Sequence, residues 1–303
     1  MCRRLFKFIF IIGCIMPVSL SWGYEEVTVE NGGTLMGRII LAGAVPAPKG
    51  YNLVTFPDPF FCGRISDGKG WRLLQPFQVG VGNGLKDVVV FIQNIKKGKS
   101  FEFETPRIEA LDCQFVPYIT VVRDRDKVEV VNLDPVMHDI QAYETSHLGA
   151  RVLFNVPLPM SRRLQKNDFM AGRLVKNRAG KVMMQPVRMR KGRNVFVMQC
   201  GFHAYMESWG LAVDNPYFAM SRHDGAYDIT DIPAGTYRVI AWHPMLTREV
   251  TVTIEAGATR TLNMKFDAPK GRLYANQAQE NTRFGTELLG DSKIIPIVEQ
   301  QTR

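Results

Sequence analysis

Two sulfur atoms and an imidazole stand close together in the second half of the chain. Cys200, His203 and Met206 follow one another in the spacing C-x2-H-x2-M, and a second imidazole, His138, lies 62 residues upstream of the cysteine. Thiolate and thioether groups are soft ligands, and in combination with imidazole nitrogen they suit copper. These residue types therefore predict one metal site formed by His138, Cys200, His203 and Met206.

Both parts of this predicted site follow strand-like runs. The run 127–131 is rich in valine and leads into a polar, proline-containing turn that ends at His138, and the run 194–198 ends just before Cys200. Asn132 and Asp134 stand in that turn, where short polar side chains can bind the backbone. We predict that they hold His138 in place, the supporting role that outer groups play around metal ligands.

Most of the chain between residues 34 and 266 has the pattern of short β-strands separated by turn residues. Runs of β-branched or alternating residues recur at short intervals, and no segment of this region has a sustained 3.6-residue period. Such spacing is typical of β-sandwiches. The predicted fold class is all-β.

These motifs resemble those of the cupredoxins, the plastocyanin- and amicyanin-like copper proteins. Over roughly residues 34–266 the chain also resembles a group of bacterial secreted proteins that join such a domain to a carboxypeptidase-regulatory-like β-domain. The motifs that carry the resemblance are Asn132-x-Asp134-Pro135-x-x-His138, Cys200-x-x-His203-x-x-Met206, Asp224-Gly225-x-Tyr227 and Ile232-Pro233-x-Gly235-x-Tyr237. The resemblance implies two Greek-key β-sandwiches and one type 1 copper held by the four predicted ligands.

One residue departs from the cupredoxin pattern. The position after the first ligand histidine is commonly asparagine in that family, where its amide ties the two ligand loops together near the sulfur. Here the residue is Asp139. A carboxylate can accept a backbone N–H, but it cannot donate toward the thiolate, so the family's redox potential does not transfer to this chain.

The regulatory-like sandwich is predicted to be discontinuous in sequence. Its second half is recognisable by its turn motifs, but the residues immediately before these motifs do not supply the strands of a first half. Its first strands are predicted at 34–41 and 85–92 instead, so that the cupredoxin-like sandwich is inserted between two parts of the other; a tandem arrangement is the alternative. The predicted divisions are a signal peptide at 1–23, N-terminal strands and loops at 24–107, the cupredoxin-like domain at 108–213, the rest of the regulatory-like sandwich at 214–267 and a polar tail at 268–303.

The N-terminus has the pattern of an export signal. Basic residues precede an apolar run, and small residues follow it before an acidic stretch. We therefore expect a periplasmic or secreted protein, with no stable membrane span after the signal is cleaved.

Cleavage of the signal would leave three cysteines, Cys62, Cys113 and Cys200. In an oxidising compartment an odd number means that one thiol is held by something other than an internal disulfide. We predict a disulfide between Cys62 and Cys113, with Cys200 as the metal ligand. The alternative, that any two of the three pair and the third is simply buried, stays open at this stage.

The sequence contains none of the common catalytic motifs, such as H-E-x-x-H, G-x-S-x-G or a phosphate-binding glycine loop. The predicted function is single-electron transfer between redox partners without bond chemistry, so the protein is not expected to be an enzyme. Alternatives are a metal-free β-sandwich binding or scaffold module of the cell envelope, a periplasmic copper-trafficking protein, and a nucleophilic Cys200 activated by His203.

The formal net charge is +9, and the predicted signal holds three of the positive residues. This moderate charge does not indicate a nucleic-acid-binding protein. The segment 162–193 nevertheless holds eleven Lys or Arg and one acidic residue. We predict that it forms a positive rim near the copper that attracts an acidic redox partner, such as a cytochrome or respiratory subunit. The residues assigned to this docking surface are Arg188, Arg190, Lys191 and Arg193 for the charge, and Phe202 and Tyr205 for the apolar contact.

Overall fold

The computed structural model describes residues 23–145, 149–160, 180–271, 273–274, 278–281 and 285–288. Nearly all of the predicted signal peptide lies outside the described residues, as do residues 161–179 of the basic segment and much of the polar tail. Within the described parts of the chain, no helix is both long enough and apolar enough to cross a membrane.

The regular secondary structure of the described residues is nearly all β, which confirms the predicted fold class. In the first half the strands are β1 (Glu25–Glu26), β2 (Gly33–Ala42), β3 (Lys49–Asn52), β4 (Trp71–Leu74), β5 (Val89–Gln93), β6 (Lys97–Gly98), β7 (Arg107–Ala110), β8 (Phe115–Val116), β9 (Ile119–Arg123), β10 (Lys127–Asn132) and β11 (His138–Glu144). In the second half they are β12 (Arg151–Leu158), β13 (Met183–Pro186), β14 (Val195–Gln199), β15 (Glu207–Val213), β16 (Phe218–Met220), β17 (Ala226–Ile232), β18 (Gly235–His243), β19 (Leu246–Ile254), β20 (Thr259–Thr261), β21 (Met264–Asp267), β22 (Ala278–Asn281) and β23 (Gly285–Leu288). Among the residues that the structure describes, helical turns are limited to α1 (Pro59–Cys62) and the 3₁₀ segments Leu53–Thr55, Gly63–Ile65 and Val81–Asn83.

The strands between Arg107 and Val213 form one β-sandwich. One of its sheets has the order β13-β10-β7-β8, and the other has the order β12-β11-β14-β15-β9. Their facing sides enclose a core that includes Ile108, Val130, Ile140, Phe196 and Met198.

A second sandwich draws its strands from both sides of the first. Its sheets have the orders β16-β5-β18-β19 and β17-β2-β20, and β21 also pairs with β2. Thus β2 and β5, which precede the first sandwich in sequence, pair with strands that follow it. Tyr227 and Ile232, from the two turn motifs of the sequence, are buried in the core of this sandwich.

The two sandwiches pack against each other through sheet faces. Val89, Phe91 and Trp242 of the second sandwich share one apolar cluster with Val197 and Trp209 of the first. Because β14 contributes Val197 to this cluster and Met198 to the core of its own sandwich, both faces of β14 are buried. The strand that leads into Cys200 is therefore surrounded by packed side chains.

Strand β11 places polar residues at both ends of a buried face. Its side chains alternate strictly between buried and partly buried, so that His138, Ile140, Ala142 and Glu144 all point into the core. His138 and Glu144 lie six residues apart, about 20 Å along a strand. Any group bound to Glu144 is therefore at the opposite end of the sandwich from His138.

This distance corrects the predicted position of the basic rim. The Arg193 guanidinium lies 2.9 Å from a Glu144 carboxylate oxygen, and the Arg190 backbone N–H donates to the same carboxylate. The side chains of Arg188, Arg190 and Lys191 are exposed in the same stretch. The described part of the basic segment therefore lies away from His138, and Arg193 serves an internal ion pair rather than a docking surface.

The pKa of Glu144 is lowered from its ordinary value. Burial raises this pKa, but hydrogen bonds from Arg151, the Arg190 backbone N–H and Arg193 together lower it by more. Because the pKa is lower in the folded than in the unfolded protein, the Glu144 contacts stabilise the fold above the unfolded pKa, about 4.3. That contribution is lost as the pH falls through the folded pKa.

We predict that Glu144→Gln lowers the free energy of unfolding by roughly 3–5 kcal/mol at neutral pH, since it leaves two arginines without their buried carboxylate. Denaturant unfolding measures the difference in the free energy of unfolding between the wild type and this variant. The difference should become smaller below about pH 4, where Glu144 of the wild type begins to be protonated. The control is Glu249→Gln, which breaks an exposed pair with Arg238 and should change stability by less than about 1 kcal/mol. Equal effects of the two substitutions would contradict the role assigned to Glu144.

Candidate metal centre

Three of the four predicted ligands meet at one end of the first sandwich. Strands β11 and β14 are antiparallel neighbours, so that the start of β11 at His138 lies beside the end of β14, just before Cys200. The chain then turns back into β15, and His203 lies within this turn. The turn is closed by the Cys200 N–H, which donates to the Met206 carbonyl, and by the Met206 N–H, which donates to the His203 carbonyl.

Asn132 and Asp134 hold the turn that delivers His138, as the sequence predicts. The Asn132 amide donates to the carbonyls of Val136 and Leu158, and its oxygen accepts the Asp134 N–H at 2.8 Å. One Asp134 carboxylate oxygen lies 2.9 Å from His138 Nε2. Both polar side chains are about 1 % exposed, so water does not compete for these contacts.

The outer nitrogens of both imidazoles face hydrogen-bond acceptors. His138 Nε2 faces the Asp134 carboxylate, and His203 Nε2 faces the Pro57 carbonyl at 3.2 Å. Since carboxylate and carbonyl oxygens accept hydrogen bonds, each Nε2 carries the ring proton in the neutral tautomer. Each Nδ1 atom therefore has a free lone pair, which is the form of imidazole that binds a metal.

The free nitrogens point toward each other and toward the cysteine sulfur. His138 Nδ1 and His203 Nδ1 are 3.2 Å apart, and Cys200 Sγ lies 4.0 Å from the first and 3.7 Å from the second. A trigonal ion with bonds of about 2.0 Å to nitrogen and 2.3 Å to sulfur would separate its donors by about 3.5–3.7 Å. The lone pairs of two Nδ1 atoms 3.2 Å apart repel each other unless a cation or a proton lies between them. The donor set therefore fits a metal ion.

Burial shapes the protonation of both side chains of the turn. It raises the pKa of the Cys200 thiol to about 11, although the backbone N–H groups of Asp139, Phe202 and His203 partly oppose this. Burial, together with the neighbouring His138, lowers the pKa of His203, which is therefore neutral at pH 7. A thiol with a raised pKa is a poor nucleophile without a cation beside it, which disfavours Cys200 as a catalytic nucleophile.

Asp139 ties the two ligand turns together despite the difference from the cupredoxin pattern. One carboxylate oxygen accepts the Gly201 N–H at 2.5 Å, and the other accepts the Gln141 amide at 2.6 Å. A Cβ atom on Gly201 would lie 2.4 Å from that Gln141 amide and 2.9 Å from the carboxylate. Glycine at position 201 thus leaves room for these side chains, and any larger residue would displace the Gln141 amide.

Met206 is fully buried in the same core as Cys200. Its backbone closes the turn, which brings the residue next to the three converging donors. Its role as a weak fourth ligand stays a prediction from the residue type and spacing.

A segment far away in sequence covers the outer edge of His203. This cover, residues 53–65, begins at the end of β3 and runs through α1 within the connection to β4. It supplies the Pro57 carbonyl, and Cys62 Sγ lies 3.8 Å from His203 Nε2. The predicted disulfide between Cys62 and Cys113 is present in the structure, and the Cys113 N–H donates to the same Asp134 oxygen that faces His138. The disulfide therefore ties the cover directly to the residues that hold the ligands.

The cover changes the predicted roles of two aromatic residues. Tyr205 is only 2 % exposed, because its ring packs edge-on against Tyr51 and Phe56 at centroid distances of 6.1 and 5.1 Å. It cannot contact a partner, and the prediction that it does so is wrong. Phe202 is 44 % exposed, so a docking role for it stays a prediction.

Sequence reasoning missed the cover as part of the site. Pro57 and Phe56 belong to no metal-ligand motif, and their contacts with the 200–206 turn span more than 140 residues. The predicted disulfide was the one available signal, because it requires Cys62 to lie close to Cys113 and hence near the start of the first sandwich.

Comparison with models of protein families gives no match, and neither does comparison with curated proteins. Solved structures that are similar over part of the chain include a purple cupredoxin from Nitrosopumilus maritimus, with 18% identity, a TM-score of 0.25 and coverage of 36% of this chain and 99% of the other. Amicyanin from Paracoccus versutus has 10% identity and a TM-score of 0.24, covering 41% of this chain and 97% of the other. Reduced auracyanin from Roseiflexus castenholzii has 9% identity and a TM-score of 0.24, covering 36% of this chain and 96% of the other. Each of these similarities extends over less than half of the present chain.

We predict that replacing Cys62 and Cys113 together by serine loosens the cover. Hydrogen exchange of the amides in residues 53–65 should become at least about tenfold faster, because the disulfide is worth some 2–4 kcal/mol as a constraint. Arg64→Gln is the control, since it removes an exposed ion pair to Asp112 between the same two segments and should change exchange by less than about fivefold. Unchanged exchange in the double variant would show that packing alone holds the cover.

Proposed function

We propose that this chain is a copper protein that carries single electrons in the periplasm or outside the cell. The observation that supports this most directly is the convergence of two Nδ1 atoms and the Cys200 sulfur within 4.0 Å. A copper ion held by two imidazoles and a thiolate would supply a one-electron couple at this site. We assign one type 1 copper to His138, Cys200 and His203, with Met206 as the weak fourth ligand.

The role of the protein is to keep this donor set rigid. Each ligand imidazole is held at its other nitrogen, Cys200 follows a strand that is buried on both faces, and Asp139 joins the two ligand turns. Donors that cannot move apart favour rapid electron exchange, because little rearrangement accompanies the change of charge.

Electrons would leave through the cover rather than through an exposed histidine edge. Pro57 and Cys62 contact His203, and Phe60 between them is 85 % exposed. Phe202, next to His203 in sequence, is the other exposed aromatic residue of this end. We propose that Phe60 and Phe202 form the apolar contact for a redox protein, such as a cytochrome or respiratory subunit, in the small interface typical of electron transfer.

We propose that the second sandwich is the carboxypeptidase-regulatory-like domain of the predicted arrangement, interrupted by the cupredoxin-like domain. Its motif residues have structural roles: Tyr227 donates its hydroxyl to the Leu262 carbonyl, and Tyr237 donates to the Pro233 carbonyl. The shared apolar cluster with β14 and β15 indicates that this domain supports the copper domain mechanically.

A copper-trafficking role is the second candidate. Methionine side chains are soft ligands for reduced copper, and Met137, Met160 and Met184 are each between 44 and 46 % exposed. Met137 directly precedes the ligand His138. Rapid release of copper to an acceptor protein, without electron exchange, would favour this role over the first.

We predict that the purified protein reconstituted with Cu(II) shows intense visible absorption from thiolate-to-copper charge transfer. Cys200→Ala should abolish this band because it removes the thiolate, while Met206→Leu should keep the band and change the potential because it alters only the weak ligand. Optical spectra, metal analysis and voltammetry measure these changes. Colourless copper binding that does not depend on Cys200 would contradict the copper assignment and favour a metal-free binding or scaffold module.

We predict that Phe60→Asp slows electron self-exchange between oxidised and reduced copies about tenfold, since burying a carboxylate in the contact costs at least about 1.4 kcal/mol. Nuclear magnetic resonance line widths in mixtures of the two forms measure this rate. The control reverses Arg188, Arg190 and Lys191 to Glu; these residues lie about 20 Å from His138 along the strand direction, so the rate should change little once salt screens the net charge. The opposite pattern would place the contact at the basic segment.

A further inference from the structure

A cleft opens beside Tyr205. It has a volume of about 350 Å³ and lies where three parts of the molecule meet. Strand β4 contributes Arg72, the second sandwich contributes Lys86 and Asp87, and the first sandwich contributes Gln114 and Glu207. Junctions of this kind are frequent positions for small-molecule sites, and this volume suits a compact molecule.

The acidic groups of this cleft are already paired. Glu207 binds the buried Lys49 ammonium at 2.9 Å, and the Asp87 carboxylate lies 3.4 Å from Lys86 Nζ. Arg72, by contrast, has no carboxylate partner within the parts of the chain that the structure describes, and its Nη2 donates to the Gln114 side-chain oxygen at 2.6 Å. The cleft therefore has an uncompensated positive charge on Arg72.

Two donors on the walls of the cleft lack acceptors. Arg72 Nε and the Tyr205 hydroxyl are both buried, and neither has a hydrogen-bond partner among the described residues. Tyr205 as a whole is 2 % exposed. A buried polar group without a partner costs about 1–3 kcal/mol, and such a group commonly marks the position of a bound ion or ligand.

The pKa of Arg72 agrees with a site that lacks an anion. Burial lowers this pKa, the direction expected for a guanidinium without an anionic neighbour. A carboxylate or other oxyanion would supply both the missing charge and the missing acceptors.

We propose that this cleft binds a small organic carboxylate, with Arg72 and Tyr205 as the groups that recognise its charged end. Leu73, Leu74, Pro76 and Phe115 line the same cleft and provide an apolar wall for a carbon skeleton. This wall favours an organic acid over an inorganic oxyanion, which would leave the apolar surface uncovered. The site is separate from the copper assignment, because none of its residues is a metal ligand.

The position of Tyr205 links this carboxylate site to the metal centre. Its ring centroid lies 5.6 Å from that of His203, so that the two sites share one aromatic wall. A bound carboxylate that engages the Tyr205 hydroxyl would change the surroundings of His203. The nuclear magnetic resonance signals of the His203 ring should therefore shift on binding.

Calorimetric titration of the purified protein with benzoate, succinate, citrate and inorganic phosphate tests the proposal. At least one of the three carboxylates should bind at one site more tightly than phosphate, and Arg72→Gln should abolish that binding. Tyr205→Phe should weaken it about tenfold, while raising the thermal midpoint of the ligand-free protein because the unpaired buried hydroxyl is gone. Arg107→Gln, which removes an exposed arginine outside the cleft, is the control and should bind like the wild type.

Cys200→Ala separates this proposal from the copper assignment, since it should bind the carboxylate as the wild type does. Absence of binding by all three carboxylates at about 10 mM, well above the Kd of a weak site near 1 mM, would overturn the proposal. Binding that persists unchanged in Arg72→Gln would also overturn it, as would a clear preference for phosphate.

Discussion

The arrangement of the candidate metal centre depends on the hydrogen bonds made by the outer nitrogens of its two histidines. Asp134 and the Pro57 carbonyl face Nε2 of His138 and His203, which determines the tautomer of each ring and the direction of each Nδ1 lone pair. Without these acceptors the rings could rotate or exchange tautomers, and the donor set would not converge. Asp134 is held in turn by the Cys113 N–H and by Asn132, so that the disulfide and the proline turn stabilise the same point.

This constraint explains why the cover belongs to the site. The Pro57 carbonyl is the acceptor for His203, and both the Cys62–Cys113 disulfide and the packing of Phe56 on Tyr205 connect the cover to this end of the sandwich. The cover therefore orients a ligand and at the same time separates it from water. Excluding water strengthens the electrostatic contacts beneath the cover. The cover also buries His203, so that Phe60 is exposed at this end of the sandwich instead.

The two sandwiches share apolar surface, and their junction has consequences on both sides. Trp209 and Val197 hold the strands that carry the ligand turn against the second sandwich. At the edge of the same junction the surfaces separate, and the cleft with Arg72 and Tyr205 remains. Tyr205 thus contacts both the cover, through Phe56, and the cleft that it lines. This one buried side chain therefore adjoins the candidate metal centre and the proposed carboxylate site.

The sequence by itself determined the fold class and the candidate donors His138, Cys200 and His203, because residue types, their spacing and short strand-like runs are local patterns. The tertiary structure decided that His138 begins a strand, β11, which pairs with β14. The number of cysteines and the expected compartment favoured a disulfide between Cys62 and Cys113 but left other pairings open, and the tertiary structure decided between them. The cover, the burial of Tyr205 and the pairing of Arg193 with Glu144 were decided by the tertiary structure alone. Each of these depends on contacts between residues about 50 to 150 positions apart, and the free energy of such contacts comes from packing and desolvation that no local pattern encodes.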